Sequence, residues 1–132
     1  MTKGEAVGIA LLFCDYLIDE KNSNKKTLAG VFSGIYGKKF PSPCRPFWIY
    51  ASFTNLEGEH TFAVNIVFEK TKNVLLSIGG NLTSKGPDGV IELALPVNNL
   101  MLPEPGPCGV TLHIDGTTIM NRTLYLNEVP KE

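Results

Sequence analysis

The chain has 132 residues, 43% of them hydrophobic, and its 12 basic and 13 acidic side chains give a formal net charge of −1. This length suits one domain, and the apolar fraction supplies one core without a metal or disulfide staple. Nucleic-acid binding needs clustered positive charge, so the near-neutral balance argues against it. We therefore expect a single domain over residues 1–132, with its core at about residues 6–127, and no nucleic-acid partner.

The three cysteines, Cys14, Cys44 and Cys108, are odd in number and widely spaced. A disulfide framework favours an even number and a zinc site favours C-x-x-C pairs, so neither is indicated. Reduced thiols are typical of cytoplasmic proteins, so we expect a cytoplasmic location. We also expect no metal and no other cofactor. The apolar run at residues 6–13 is too short to span a bilayer and is followed by acidic residues, so no membrane association is expected.

The segment at residues 6–20 fits two structures. Apolar residues recur at helical spacing, at Ile9, Leu12, Phe13, Tyr16 and Leu17. The same run is also a strand that is apolar on both faces, and periodicity alone does not separate the two. The turn-like residues 22–24 and the strand-like composition of residues 27–32 favour a strand.

From Phe47 onward, apolar side chains alternate with others along the chain, which is the period of a half-buried strand. Residues 47–54 and 61–68 follow this pattern, and turn-like residues lie between them. A shorter strand is expected at residues 74–78, ended by Gly79-Gly80-Asn81.

The turn signal Gly86-Pro87-Asp88-Gly89 precedes another strand at residues 91–97. Pro96 cannot donate a hydrogen bond to a neighbouring strand, so this strand is expected to lie at a sheet edge or to end at Pro96. The proline-rich residues 98–109 are expected to form a long loop that crosses between sheets. Seven to eight short strands joined by turns are typical of a single two-layer antiparallel β-sandwich, so the predicted fold class is all-β.

The clearest local feature is a hairpin that turns at Asp115-Gly116. An Asp-Gly pair flanked by alternating apolar residues is typical of a two-residue type I′ turn. That turn places Leu112 opposite Ile119, but it leaves Leu124 on the wrong face of its strand. We therefore predict a one-residue β-bulge near Asn121-Arg122 that returns Leu124 to the core.

Few side chains suggest chemistry. Asp15 interrupts an apolar strand, and isolated burial of a carboxylate is costly. Pairing with a lysine or arginine, or capping of backbone donors, is the principal interpretation of Asp15, and ligand contact is the alternative. His113 is expected on the outer face of the hairpin with no nucleophile beside it, and His60 is expected as a polar residue at a strand end. No catalytic, cofactor-binding or metal-binding residue is predicted.

Three segments carry a family resemblance: Phe13-Cys14-Asp15-Tyr16, Leu28-Ala29-Gly30-Val31-Phe32, and Pro105-Gly106 before the hairpin. Over about residues 6–126 the chain resembles a family of small bacterial β-sandwich proteins, a domain of unknown function. The resemblance implies a cytoplasmic bacterial sandwich that begins with a strand, and it implies no activity.

Trp48 and Tyr50 lie on the face of their strand opposite Phe47 and Ile49. Large aromatic side chains on an outward sheet face suit contact with a protein or sugar, unless loops cover them or the strand is central and buried on both faces. The preferred hypothesis is a non-enzymatic protein-binding or assembly module that uses a sheet face or an edge strand, with a protein partner or homo-oligomer. The alternative is a small ligand-binding or enzymatic β-sandwich with its site in the loops at residues 38–45 and 100–109.

Overall fold

The computed structural model describes residues 5–130, and none of these lies in a helix. The strands, in chain order, are β1 (Val7–Asp19), β2 (Lys26–Phe32), β3 (Gly34–Gly37), β4 (Ser42–Pro43), β5 (Phe47–Thr54), β6 (Gly58–Phe68), β7 (Asn73–Ser84), β8 (Ile91–Val97), β9 (Met101–Leu102), β10 (Gly106–Ile114) and β11 (Thr117–Glu128). The all-β class expected from the sequence is confirmed.

Two sheets share one core. The first sheet has the strand order β2-β1-β5-β8, and the second has the order β3-β11-β10-β6-β7. The short strands β4 and β9 pair with each other beside them. Neighbouring strands are antiparallel except for β3, which runs parallel to β11.

The core lies between the facing sides of the two sheets. Its fully buried members include Phe13, Ile49 and Phe53 from the first sheet, and Val64, Ile66, Val110, Leu112 and Leu124 from the second. The predicted alternation supplies them, because successive side chains of a strand point to opposite faces of its sheet. Full burial of one such side chain stabilises the fold by about 1.5–3 kcal/mol relative to leaving it exposed.

The first segment forms the strand β1 rather than a helix, as the turn behind it indicated. Its central position in the first sheet explains why both of its faces carry apolar residues over part of its length. The edge position expected for the strand containing Pro96 is also observed, since β8 pairs only with β5 in the part of the chain that the structure describes.

Two predicted strand ends are wrong. The strand expected to stop at residues 79–81 continues through both glycines, and β7 ends at Ser84. The ring of Phe62 packs against Gly80, and a Cβ atom at position 80 would lie 2.9 Å from a ring carbon. This packing explains why a glycine occupies position 80. The loop expected at residues 98–109 contains the short strand β9 and ends at Gly106, where β10 begins.

The Asp115-Gly116 turn joins β10 to β11 as predicted. The φ angles of the two residues are 50° and 83°, and a type I′ turn requires positive φ at both positions. Glycine adopts this conformation at no steric cost, and aspartate tolerates it better than most residues do.

The predicted register beyond this turn is wrong, although the predicted bulge exists. Leu112 pairs with Met120, and Ile119 is the extra residue of the bulge. The bulge is therefore nearer the turn than Asn121-Arg122. Ile119 and Met120 both pack against the core, and a bulge at this point lets two consecutive apolar side chains do so. It also brings Leu124 into the core, which was the reason for predicting it.

Deletion of Ile119 tests this register. Without Ile119 the cross-strand pairs Leu112–Met120 and His113–Thr118 become consecutive, so we expect the variant to fold. Its free energy of unfolding should fall by about 1–2 kcal/mol, because one half-buried side chain is lost. Deletion of Tyr125 is the matched comparison. This deletion makes Leu124 and Leu126 adjacent, so one of them must leave the core whichever register β11 adopts. The free energy of unfolding should then fall by about 3–5 kcal/mol. Urea unfolding measures both losses, and equal losses contradict the assignment of the bulge.

Candidate functional site

A cleft of about 570 Å³ opens at the corner where the chain passes from β2 in the first sheet to β3 in the second. Clefts of this volume accept small molecules. Phe32, Ile35 and Phe47 supply apolar lining, and Tyr36 is an exposed wall residue. Part of the lining is therefore apolar, and the cleft is open to solvent beside Tyr36.

Asp15 and Arg45 form an ion pair in this cleft. The Nη2 atom of Arg45 donates a hydrogen bond of 3.0 Å to the Oδ1 atom of Asp15. Asp15 shares the core-facing side of β1 with Phe13, but it lies where the sandwich opens. The arginine partner expected for Asp15 is thus present, while contact with a ligand stays a prediction.

A glycine makes room for this carboxylate. Gly30 of β2 has a φ angle of +71°, and a Cβ atom on it would lie 2.6 Å from the Oδ2 atom of Asp15. A larger residue at position 30 would therefore displace the side chain of Asp15 and strain its own backbone.

The three cysteines are free thiols, and they differ in exposure. Cys14 and Cys108 are fully buried, and burial raises the pKa of Cys108 to about 11. Cys44 lines the cleft and is half-buried, and its thiol donates a hydrogen bond of 3.2 Å to the carbonyl oxygen of Arg45. Burial raises the pKa of Cys44, and the charge of Arg45 opposes that rise. All three thiols are thus protonated at neutral pH, which makes them weak nucleophiles.

The two loops proposed for a ligand site do meet. Ser42 pairs with Leu102 in the β4–β9 ladder, and the backbone N–H of Cys44 donates a hydrogen bond of 2.8 Å to the carbonyl oxygen of Leu100. Only the first loop lines the cleft, since Cys108 is a buried core residue of β10. Of the two loops predicted for a ligand site, one therefore contributes to the cleft, through Pro43, Cys44 and Arg45.

The second polar cluster is centred on His60, which the sequence predicted only as a polar residue at a strand end. His60 lies near the start of β6 as expected, but it is only 5% exposed. Its Nδ1 atom lies 2.6 Å from the Oδ2 atom of Asp115, and its Nε2 atom lies 2.8 Å from the carbonyl oxygen of Glu57. The carbonyl oxygen and the ionised carboxylate are both acceptors, so each ring nitrogen is placed to donate a hydrogen bond to one of them.

This histidine fastens the hairpin turn to β6. Asp115 also accepts a hydrogen bond of 2.9 Å from the backbone N–H of Thr61, through its Oδ1 atom. The hydrogen bond from His60 is the main cause that lowers the pKa of Asp115. Because both ring nitrogens of His60 are engaged, the pair is suited to holding structure rather than to moving protons to a ligand.

We expect Asp115→Asn to lower the urea midpoint at neutral pH, because it removes the ionised acceptor of His60. Asparagine suits the type I′ turn as well as aspartate does, so the turn itself is not at issue. A folded-state pKa below the ordinary value of 3.8 adds stability above that value, and this stability disappears as the pH falls through the folded-state pKa. The difference between variant and wild type should therefore shrink below pH 3.8.

Asp88→Asn, in the turn before β8, is the matched control for this experiment, and it should leave the midpoint at neutral pH unchanged. A difference between Asp115→Asn and wild type that persists unchanged at low pH contradicts the ionic account of the His60 contact.

The face that carries Trp48 and Tyr50 is partly covered. β2 and β8 are the opposite edges of the first sheet, yet the Nζ atom of Lys26 lies 3.3 Å from the Oε1 atom of Glu92. Lys26, at the free end of the β1–β2 hairpin, thus reaches the Glu92 carboxylate, to which the hydroxyl of Tyr50 also donates a hydrogen bond. Trp48 and Tyr50 are half-buried, and their role in partner binding stays a prediction.

The exposed apolar side chains of this face lie on the hairpin instead. Tyr16 is 70% exposed, and Ile18 and Val31 are also exposed. The sequence did not single them out, because periodicity alone does not show which parts of a sheet face are covered by the rest of the chain.

His113 lies on the outer face of the second sheet, as predicted. Its two ring nitrogens lie 3.0 Å from the Oγ1 atom of Thr111 and 2.9 Å from that of Thr118. Within residues 5–130 no three His, Cys, Asp or Glu side chains are arranged to hold a metal ion. The same residues include no helix with the length and apolar character needed to cross a membrane.

The far edge of the second sheet is formed by β7, a strand of 12 residues. It pairs with β6 on one side, and no strand within the described residues pairs with its other side. The segment contains no charged residue and no proline, and Gly79, Gly80 and Asn81 at its centre are exposed. Its outer backbone groups are thus open to another strand.

The fold and these sites define a small all-β sandwich protein. The chain belongs to the Family of unknown function (DUF6941), whose model matches residues 9–127, and this confirms the resemblance described above. No curated protein matches the chain significantly.

Among solved structures, the chain is similar to the Pseudomonas fluorescens alkylpurine DNA glycosylase AlkC bound to DNA containing an abasic site analog, with 8% identity and a TM-score of 0.45. The alignment covers 89% of this chain and 30% of that protein. A likeness this distant supports no inference about function.

Proposed function

We propose that this protein is a non-enzymatic assembly module that binds a second copy of itself through β7. The observation that carries the proposal is the edge of Asn73–Ser84, which has no charged residue and no proline and runs without interruption from Leu76 to Ser84, after a bulge at Leu75. Native sheets protect exposed edges with charged side chains, proline, bulges or short strands, because free backbone groups template pairing with another chain. An edge without charge or proline is suited to such pairing.

The other sheet edges carry these protective features. β2 contains Lys26 and has positive φ at Gly30, and β8 contains Glu92 and Pro96. β3 has only four residues. β7 has a bulge at Leu75 but neither charge nor proline over its 12 residues, and this contrast supports a role for its edge.

The sequence of β7 is complementary to itself in an antiparallel pair centred on Gly80. In that register Ile78 of one copy faces Leu82 of the other on the core side of the sheet, where both are half-buried in the single chain. On the outer side Ser77 faces Thr83. These two kinds of pair favour cross-strand association near the centre of the strand, whereas Leu76 faces Ser84 at its ends. A net charge of −1 adds little repulsion between copies.

The environments of the thiols and imidazoles support the absence of catalysis. Cys14 and Cys108 are inaccessible, and His60 has both ring nitrogens engaged. Cys44 has no imidazole among the residues that line its cleft. The three unpaired thiols support a cytoplasmic location for the module.

Sedimentation velocity over a range of protein concentrations tests this assembly. We expect a reversible dimer, and we expect Ser77→Lys combined with Thr83→Lys to raise the dissociation constant about tenfold, because two pairs of like charges then face each other. Circular dichroism checks that the double variant keeps its fold.

The matched control is Thr27→Lys combined with Val31→Lys, which adds the same charge to exposed positions of the β2 edge. It should leave the dissociation constant unchanged. A wild-type protein that stays monomeric at the highest concentrations, or a dimer that both double variants weaken equally, contradicts assembly through β7.

A further inference from the structure

We propose that the cleft between β2 and β3 binds a small carboxylate that carries an apolar body. The apolar part of the ligand would contact Phe32, Ile35 and Phe47, which lie along the lining of the cleft. Ligand sites of this volume combine a mainly apolar lining with a few polar groups that fix orientation. The nature of those polar groups selects the class of ligand.

The accessible charge in the cleft is positive. The side chain of Arg45 is 79% exposed, whereas that of its partner Asp15 is 28% exposed. Asp15 accepts one hydrogen bond from a guanidinium group that has five N–H donors. The remaining donors suit a second carboxylate, which a guanidinium group binds with two parallel hydrogen bonds.

The chain around the cleft strengthens this preference. Residues 37–46 contain Lys38, Lys39 and Arg45 and no acidic residue. Both lysines are exposed, and they lie in the chain between Tyr36 and Pro43, which line the cleft. An approaching anion is therefore attracted, and an approaching cation is repelled.

Arg45 is held in place before any ligand arrives. Asp15 orients the guanidinium group, and Gly30 leaves the space that the Asp15 carboxylate occupies. A polar group fixed in advance loses less conformational entropy when the ligand binds. Asp15 thus acts through Arg45, as a positioning residue.

The site does not depend on the proposed assembly. β3 borders the cleft, and β3 and β7 are the two opposite edges of the second sheet. A copy bound at β7 leaves the cleft open, so each proposal can fail without the other.

Cys44 provides the readout for binding. It lines the cleft and is partly exposed, whereas Cys14 and Cys108 are fully buried and serve as internal controls. We expect octanoate to slow the alkylation of Cys44 by iodoacetamide in a saturable way, and to bind with one site per chain in isothermal titration calorimetry. Octanol and octylamine have the same chain without the negative charge, and each should bind at least about tenfold more weakly.

Arg45→Gln should lower the affinity for octanoate about tenfold and leave the affinity for octanol unchanged, because only the charged hydrogen bonds are lost. Gly30→Ala should lower octanoate affinity by displacing Asp15, although Arg45 itself is retained. Lys85→Gln removes an equal charge from the turn after β7 and should have no effect.

Equal binding of octanoate and octanol overturns the proposal, and so does tighter binding of octylamine. Octanoate affinity that survives in Arg45→Gln overturns it as well, since the ligand would then bind elsewhere. Failure of all three probes to protect Cys44 removes the cleft as a site for this class of molecule.

Discussion

Each core strand of this protein can give only one of its faces to the space between the two sheets, and the rest of the structure depends on that constraint. Because side chains alternate along a strand, a shift of one residue moves every apolar side chain to the wrong side. The bulge at Ile119 absorbs one such shift in β11 and keeps Leu124 in the core. The same rule leaves Asp15 facing inward beside Phe13, at a point where the sheets no longer cover it. An ion pair and a cleft are the consequence.

The sequence predicted the features that depend on local periodicity or on one turn. The alternation of β5 and β6 and the turn at Asp115-Gly116 belong to this group, and so does the edge position that Pro96 imposes on β8. The predicted position of the bulge was wrong because Ile119 and Met120 are both apolar. The apolar residues shift from odd to even positions in this region, and that shift does not show which residue is the extra one. The glycines of β7 look like a strand end, and only the Phe62 ring packed against Gly80 explains them.

The candidate sites were less predictable because their residues meet across long stretches of chain. Asp15 stood out as a carboxylate in an apolar strand, yet its partner Arg45 is thirty residues away and lies beyond three further strands. His60 and Asp115 are separated by more of the chain still, and they meet because β6 pairs with β10. Tyr50 of β5 and Lys26 of β2 both contact Glu92 of β8, a meeting of three strands that sequence periodicity does not describe. Contacts of this kind are set by topology, and one sequence does not display them.

The strand order of the second sheet has a further consequence. Two copies joined at β7 would form one sheet of ten strands, since each copy contributes the five of its own second sheet. The two clefts would then lie at the outer ends of that sheet, on the order of 40 Å apart, given a spacing of about 4.8 Å between strands. Such a particle would be bivalent. A surface or chain that displays many weak ligands would hold it by avidity, through effective concentration rather than through any additional contact.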